Sequence, residues 1–126
     1  MLFFDTSAWV EYFTGSPKGL KIKTILESKE KIATPIIMLI ELSCKAYKEN
    51  VDLKVQTDFI KQNSVILNLN EDVVIGVGKI YTEMKRKHKK TSLADGIIAA
   101  MAINYNSDIV TCDADFKGLE GIRFIS

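Results

Sequence analysis

Short apolar runs alternate along this chain with longer segments whose apolar positions recur at helical spacing. Leu2-Phe3-Phe4, Lys31-Ile32-Ala33-Thr34, Val65-Ile66-Leu67, Asp108-Ile109-Val110-Thr111 and Ile122-Arg123-Phe124-Ile125 are too short for helices and read as strands. Between them, Ser7 to Phe13, Leu20 to Ser28, Pro35 to about Asn50, Leu53 to Gln62, Glu71 to about Lys87 and Leu93 to Asn104 read as helices. Thr14-Gly15-Ser16-Pro17-Lys18-Gly19 is rich in breakers and reads as a turn ahead of the second helix. Pro35 is placed to open the third helix, Asn70 to cap the fifth, and Thr91-Ser92 to start the sixth. Gly96, Ala99, Ala100 and Ala102 give that sixth helix a small-residue surface for close packing, on the sheet or on a second copy of the chain. Strands alternating with helices predict an α/β domain with a mostly parallel sheet and helices on both faces. Right-handed crossovers then bring every strand's carboxyl end to one rim.

Length narrows this to one domain, 1–126, large enough for a real core. The longest apolar run, Pro35 to Ile40, stops at Glu41 and is far short of a bilayer. The N-terminal run is broken at Asp5 and lacks a basic flank, so a secretory signal is not expected. Cys44 and Cys112 stand apart, without zinc-site or disulfide spacing, and read as two reduced, buried thiols of a cytoplasmic protein. Gly76-Val77-Gly78-Lys79 is not a phosphate loop, because Val73 and Ile80 stand where that motif needs glycine and a hydroxyl. Net charge is only +1, so bulk charge does not announce a nucleic-acid partner. Lys85-Arg86-Lys87-His88-Lys89-Lys90 is a dense basic block with two readings: the solvated end of a helix, or a patch for phosphates.

The acids are placed more tellingly than the bases. Asp5 and Asp113 follow the first and fourth strands, and Asp115 is close behind. Ligands of open α/β sheets are held at such strand ends, in the crevice where strand order reverses. Asp95 falls in the first turn of its helix, and Glu41 lies in the apolar run Ile36-Ile37-Met38-Leu39-Ile40-Glu41-Leu42. Each acid also has a purely structural reading. Asp5 suits a helix N-cap, Asp95 a capping box with Ser92, Asp113 and Asp115 turn positions, and Glu41 a pair with Lys45. Carboxylates gathered at one rim repel, and a hard cation such as Mg²⁺ or Mn²⁺ relieves that conflict. A site of acids without His or Cys does not suit zinc or copper. Thr6 and Ser7 can take over local hydrogen bonding, which would leave the Asp5 carboxylate free for the ion.

Asp5-Thr6-Ser7, Glu41 in the third helix, Ser92-Leu93-Ala94-Asp95 before an alanine-rich helix, and Thr111-Cys112-Asp113-Ala114-Asp115-Phe116 together resemble the motifs of PIN-domain ribonucleases. Within that family the likeness is to the small VapC-type toxins of prokaryotic toxin–antitoxin pairs, and it spans essentially the whole chain. The resemblance implies a three-layer sandwich on a sheet of about five strands in the order 3-2-1-4-5. It implies that Asp5, Glu41, Asp95 and Asp113 hold one or two Mg²⁺ or Mn²⁺ ions, with Thr6, Ser7 and Thr111 orienting them. Asp115 falls where relatives vary. The implied activity is metal-dependent endonucleolytic hydrolysis of RNA, leaving a 5′-phosphate and a 3′-hydroxyl, with Lys85, Arg86 and Lys87 as candidate contacts to the RNA backbone. A homodimer and a small antitoxin protein are the implied partners.

Three other readings stay in view. A nuclease of RNA processing that is no toxin would carry the same acids, and a PIN-like binding module would carry them idle. A phosphoacceptor receiver domain has similar size, but wants paired acids at the first strand and a lysine ending the last. Asp5-Thr6 and Ile125-Ser126 supply neither.

Overall fold

The computed structural model describes every residue from 1 to 126. The strands β1 (Leu2–Phe4), β2 (Ile32–Pro35), β3 (Val65–Leu67), β4 (Asp108–Thr111) and β5 (Ile122–Phe124) form one parallel five-stranded sheet. Their order is β3-β2-β1-β4-β5, as the resemblance implied. The helices are α1 (Thr6–Thr14), α2 (Pro17–Leu26), α3 (Ile36–Glu49), α4 (Leu53–Asn63), α5 (Glu71–Lys87) and α6 (Leu93–Asn104). Leu2 pairs with Ile32 on one side and with Asp108 on the other, so β1 is the central strand. The chain builds outward from β1 through β2 to β3, then returns to lay β4 on the opposite edge. Strand order therefore reverses at β1, and a crevice opens between the carboxyl ends of β1 and β4.

Alternation along β1 divides the core into two. Leu2 and Phe4 enter one cluster with Trp9, Ile22, Leu42 and Ile60, while Phe3 enters another with Val73, Ile98 and Met101. Trp9, fully buried, fixes the roll of α1 on the sheet. Its indole N–H donates to Thr34 Oγ1 at 3.1 Å, and its ring stacks on Phe13 at 5.9 Å. That roll decides which α1 side chains face the crevice. Two glycines set helix spacing. A Cβ at Gly19 would lie 2.1 Å from the Glu11 carbonyl oxygen, so only glycine lets α2 lie this close to α1. A Cβ at Gly96 would lie 2.7 Å from Tyr81 Cβ, so glycine there lets α6 lie this close to α5, while Ala100 and Ala102 enter the core with Phe3 and Ile109.

Several boundaries differ from the sequence reading. Helix α2 starts at Pro17 rather than Leu20, because Ser16 caps it through the Gly19 N–H at 3.0 Å and Pro17 takes the first helical position. Pro35 ends β2 and takes the N-cap position of α3, without a capping hydrogen bond, instead of entering its first turn. The last strand stops at Phe124, one residue early, and a 3₁₀ turn, Ala114–Phe116, follows β4. Cys112 is buried as expected, but Cys44 is exposed, since it lies on the outer face of α3. No helix is long and apolar enough to cross a membrane.

Candidate active site

Asp5 is the first residue after β1 and the N-cap of α1. It is 4% exposed, and its carboxylate accepts three hydrogen bonds. Oδ1 accepts from Ser7 Oγ at 2.7 Å and from the Ala8 N–H at 3.0 Å, and Oδ2 accepts from Thr111 Oγ1. Asp5 thus keeps the N-cap of α1 and is not left free by Thr6 and Ser7, since its Oδ1 accepts from the Ala8 N–H and from Ser7 itself. Ser7 Oγ also accepts from the Cys112 N–H at 2.9 Å, and Thr111 Oγ1 from the Asp113 N–H at 3.0 Å. Each hydroxyl has one proton and gives it to Asp5, so this network ties the ends of β1 and β4 around an ionised Asp5.

Two effects oppose that ionisation. Burial, with the charge of Asp113 adding to it, pushes the Asp5 carboxyl up to about 6 despite its three donors. Asp95 is raised as well, chiefly by burial, with repulsion from Asp113 and Asp115 contributing. Its carboxylate accepts from the Ser92 N–H at 2.9 Å while Ser92 Oγ accepts from the Asp95 N–H at 3.1 Å. That is a complete capping box on α6. Glu41 projects from α3 and accepts from Thr6 Oγ1 at 2.7 Å. The expected Glu41–Lys45 pair does not form: Lys45 turns the other way and meets Glu49 at 2.7 Å. Asp113 caps the 3₁₀ turn through the Asp115 N–H at 2.9 Å.

These side chains line one open cleft of about 320 Å³: Asp5, Glu41, Asp95 and Asp113, with Thr6 and Ser7 beside them. Thr111 lies beneath, bonded to Asp5. Asp115 is not in the cleft wall, although its charge reaches Asp95. Lys85, Arg86 and Lys87 are not there either. They close the far end of α5, where Lys85 Nζ donates to the carbonyl oxygens of Lys89 (3.4 Å) and Thr91 (3.3 Å). Two charged residues in the wall escaped the sequence reading as site residues. Glu11 adds a fifth carboxylate, held by Ser16 Oγ, and Lys45 is the one cation. Helical spacing was the available signal: Glu11 is four residues after Ser7, and Lys45 four after Glu41.

A cation suits this wall by its chemistry. All donors are oxygens, the acids repel one another, and neither imidazole nor thiolate enters the cleft wall. No three acidic, imidazole or thiol groups stand together as a ready-made cation cage. Each of the four acids is instead turned onto a hydrogen-bond donor of the protein. A magnesium-like ion keeps several waters and needs only one or two direct carboxylates, so a loose ring of acids fits it.

The fold and cleft define an α/β protein with an acidic ligand site at the switch point of a parallel sheet. Comparison with known proteins gives that class a name: residues 2–122 match the PIN domain model. The chain belongs to the PIN domain family. It is 32% identical over 122 residues to a VapC ribonuclease of Mycobacterium bovis, covering 92% of this chain and 89% of that one. Another VapC ribonuclease, from Pyrococcus furiosus, is 30% identical over 113 residues, covering 88% and 73%. Among solved structures, VapBC2 of Rickettsia felis bound to a promoter DNA fragment superposes with a TM-score of 0.77 at 21% identity over the whole of both chains. VapC20 of Mycobacterium tuberculosis, a sarcin-ricin loop cleaving toxin, gives 0.72 at 17% identity over 98% and 99%.

Proposed function

We propose that this protein is a VapC-type endoribonuclease, the toxin of a toxin–antitoxin pair, and that Asp5, Glu41, Asp95 and Asp113 hold one or two Mg²⁺ or Mn²⁺ ions in its cleft. The observation carrying this reading is a cleft at the β1/β4 crevice with five carboxylates against one ammonium. When bound, a divalent ion makes water easier to deprotonate and neutralises charge on the phosphoryl oxygens. The chain supplies the rest. Ser7 and Thr111 hold Asp5 ionised and fix both of its oxygens. Thr6 holds Glu41 at the cleft wall, and the capping box holds Asp95 toward the same space. No imidazole is needed for hydrolysis of this kind, and the only histidine, His88, caps the far end of α5.

The antitoxin partner rests on kinship with the VapC ribonucleases and on the toxin–antitoxin complexes among the structural neighbours. Exposed Ile40, Val74, Ile75 and Leu93 offer apolar surface for a second copy of the chain. A cytoplasmic location accords with this role. The test is cleavage of RNA by the purified protein, freed of any antitoxin, with Mg²⁺ or Mn²⁺ and then with excess chelator. Cleavage that chelator abolishes and antitoxin suppresses is the expected result. Cleavage indifferent to chelator would overturn the cation assignment, and absence of cleavage with either ion would overturn the nuclease itself.

A further inference from the structure

Five carboxylates face the cleft, yet the substrate proposed for it is a polyanion. Bound cations offset part of that repulsion at the reacting phosphate, but the neighbouring phosphates of the strand need a counter-charge from the chain. The basic block at the end of α5 is not in the cleft wall, and Lys45 is the only cation that is.

Lys45 stands where two cavities meet. It lines the acid cleft and also an adjoining groove of about 150 Å³ walled by Val10, Phe13, Leu42 and Ala46. On α3 it lies between two carboxylates at helical spacing, Glu41 one turn before it and Glu49 one turn after. Glu41 belongs to the cleft and is already bonded to Thr6, whereas Glu49 belongs only to the groove. The ammonium rests on Glu49, in a pair whose side chains are 42% and 48% exposed. Exposed pairs of this kind hold their partners weakly, so an arriving phosphate can take the ammonium from Glu49. The four-carbon stem lets the charge swing while the helix stays in place.

We infer that Lys45 is a substrate-binding residue: its ammonium exchanges Glu49 for a backbone phosphate of the RNA at the mouth of the cleft. The inference rests on the nuclease reading above. One phosphate contact on single-stranded RNA corresponds to about 0.7 in the slope of log(kcat/KM) against log salt concentration.

The experiment measures initial rates on a long mixed-sequence RNA with saturating Mg²⁺ across a salt series. It compares the wild type with Lys45→Gln, Lys45→Arg and, as a control of equal charge on the same helix, Lys48→Gln. Lys45→Gln is expected to raise KM roughly three- to tenfold with kcat nearly unchanged, and to flatten the salt slope by about 0.7. Lys45→Arg should keep the slope, and Lys48→Gln should leave both KM and slope as they are. The rise in melting temperature caused by Mn²⁺ should survive Lys45→Gln, which separates phosphate binding from support of the cation site. An unchanged slope in Lys45→Gln, or equal flattening in Lys48→Gln, overturns the role of Lys45 and leaves the nuclease standing. A wild type that cleaves no RNA with either ion overturns both.

Discussion

The acids of the cleft fall into two kinds according to the element that carries them. Asp5 and Asp113 follow strands, on backbone pinned by the β1–β4 ladder and by the hydroxyls of Ser7 and Thr111. Glu41 and Asp95 project from helices, and neither is fully buried. Asp5 pays the most for its position, being buried, repelled by Asp113 and raised to about 6. The helix-borne acids are only partly buried and each leans on one residue, Glu41 on Thr6 and Asp95 on Ser92. The end of β1 thus supplies Asp5 with a fixed position at the expense of stability, while Asp113, like Glu41 and Asp95, is only partly buried.

Replacing Asp5 should break that contrast most severely. Asp5→Asn is expected to lower RNA cleavage on the order of a thousandfold or more, the scale of losing a principal electrostatic element of a site. The same change removes a buried charge but turns an amide N–H toward the Thr111 hydroxyl, so the cation-free protein should gain less than the roughly 3 kcal/mol that the raised pKa represents at pH 8. Asp95→Asn should also abolish cleavage, yet leave stability within about 0.5 kcal/mol, as an amide oxygen can still close the capping box. Urea unfolding in chelator, set beside cleavage rates, separates the two acids. A loss of stability in Asp5→Asn that is the same from pH 4 to 8 would mean that burial does not strain this carboxylate.

The pH dependence sharpens the same point. With a native pKa of about 6 against 3.8 in the unfolded chain, Asp5 holds its proton in the folded state after the unfolded state has lost it. Between those values the native state binds more protons, so stability falls as pH rises and levels off above about 6. The total contribution is roughly 3 kcal/mol for a shift of about two units. The stability difference between wild type and Asp5→Asn, measured in chelator from pH 4 to 8, should follow this curve. A difference that is flat across that range would contradict the raised pKa.

Smaller effects should separate the hydroxyls. Thr111→Val removes a buried donor to Asp5 and should cost about 1–3 kcal/mol while raising the Asp5 pKa further. Thr6→Val, which frees only the partly buried Glu41, should cost about 1 kcal/mol or less. Denaturant midpoints of both variants at pH 8 give the comparison. Equal losses would remove the distinction between strand-end and helix-borne acids.

Much of this was readable along the chain because the signals are local. The apolar runs Leu2–Phe4 and Val65–Leu67 announced strands, and Ser92 with Asp95 announced the start of α6. The Ser16-Pro17 start of α2 was equally local but was hidden by Gly19, a residue that looks like a breaker and in fact admits α1. Glu11 and Lys45 escaped notice as members of the cleft because helical spacing alone does not say which helix face meets the crevice. The buried indole of Trp9 decides that for α1, through its contact with Thr34 on another strand.

By itself, then, the order of residues determined the alternation of strands and helices, the caps, and an acid at the end of each strand that borders the crevice. Period and capping depend on neighbours a few positions apart, so they are written in the chain. Tertiary structure alone decided that Asp5 remains a cap while facing the cleft, that Thr111 reaches it from 106 residues away, and that Lys45 turns to Glu49 rather than Glu41. It also removed Lys85, Arg86 and Lys87 from the cleft wall. Those outcomes depend on which surfaces the packing of α1, α3 and α5 leaves facing the β1–β4 crevice, and burial and long-range charge act only once that packing exists.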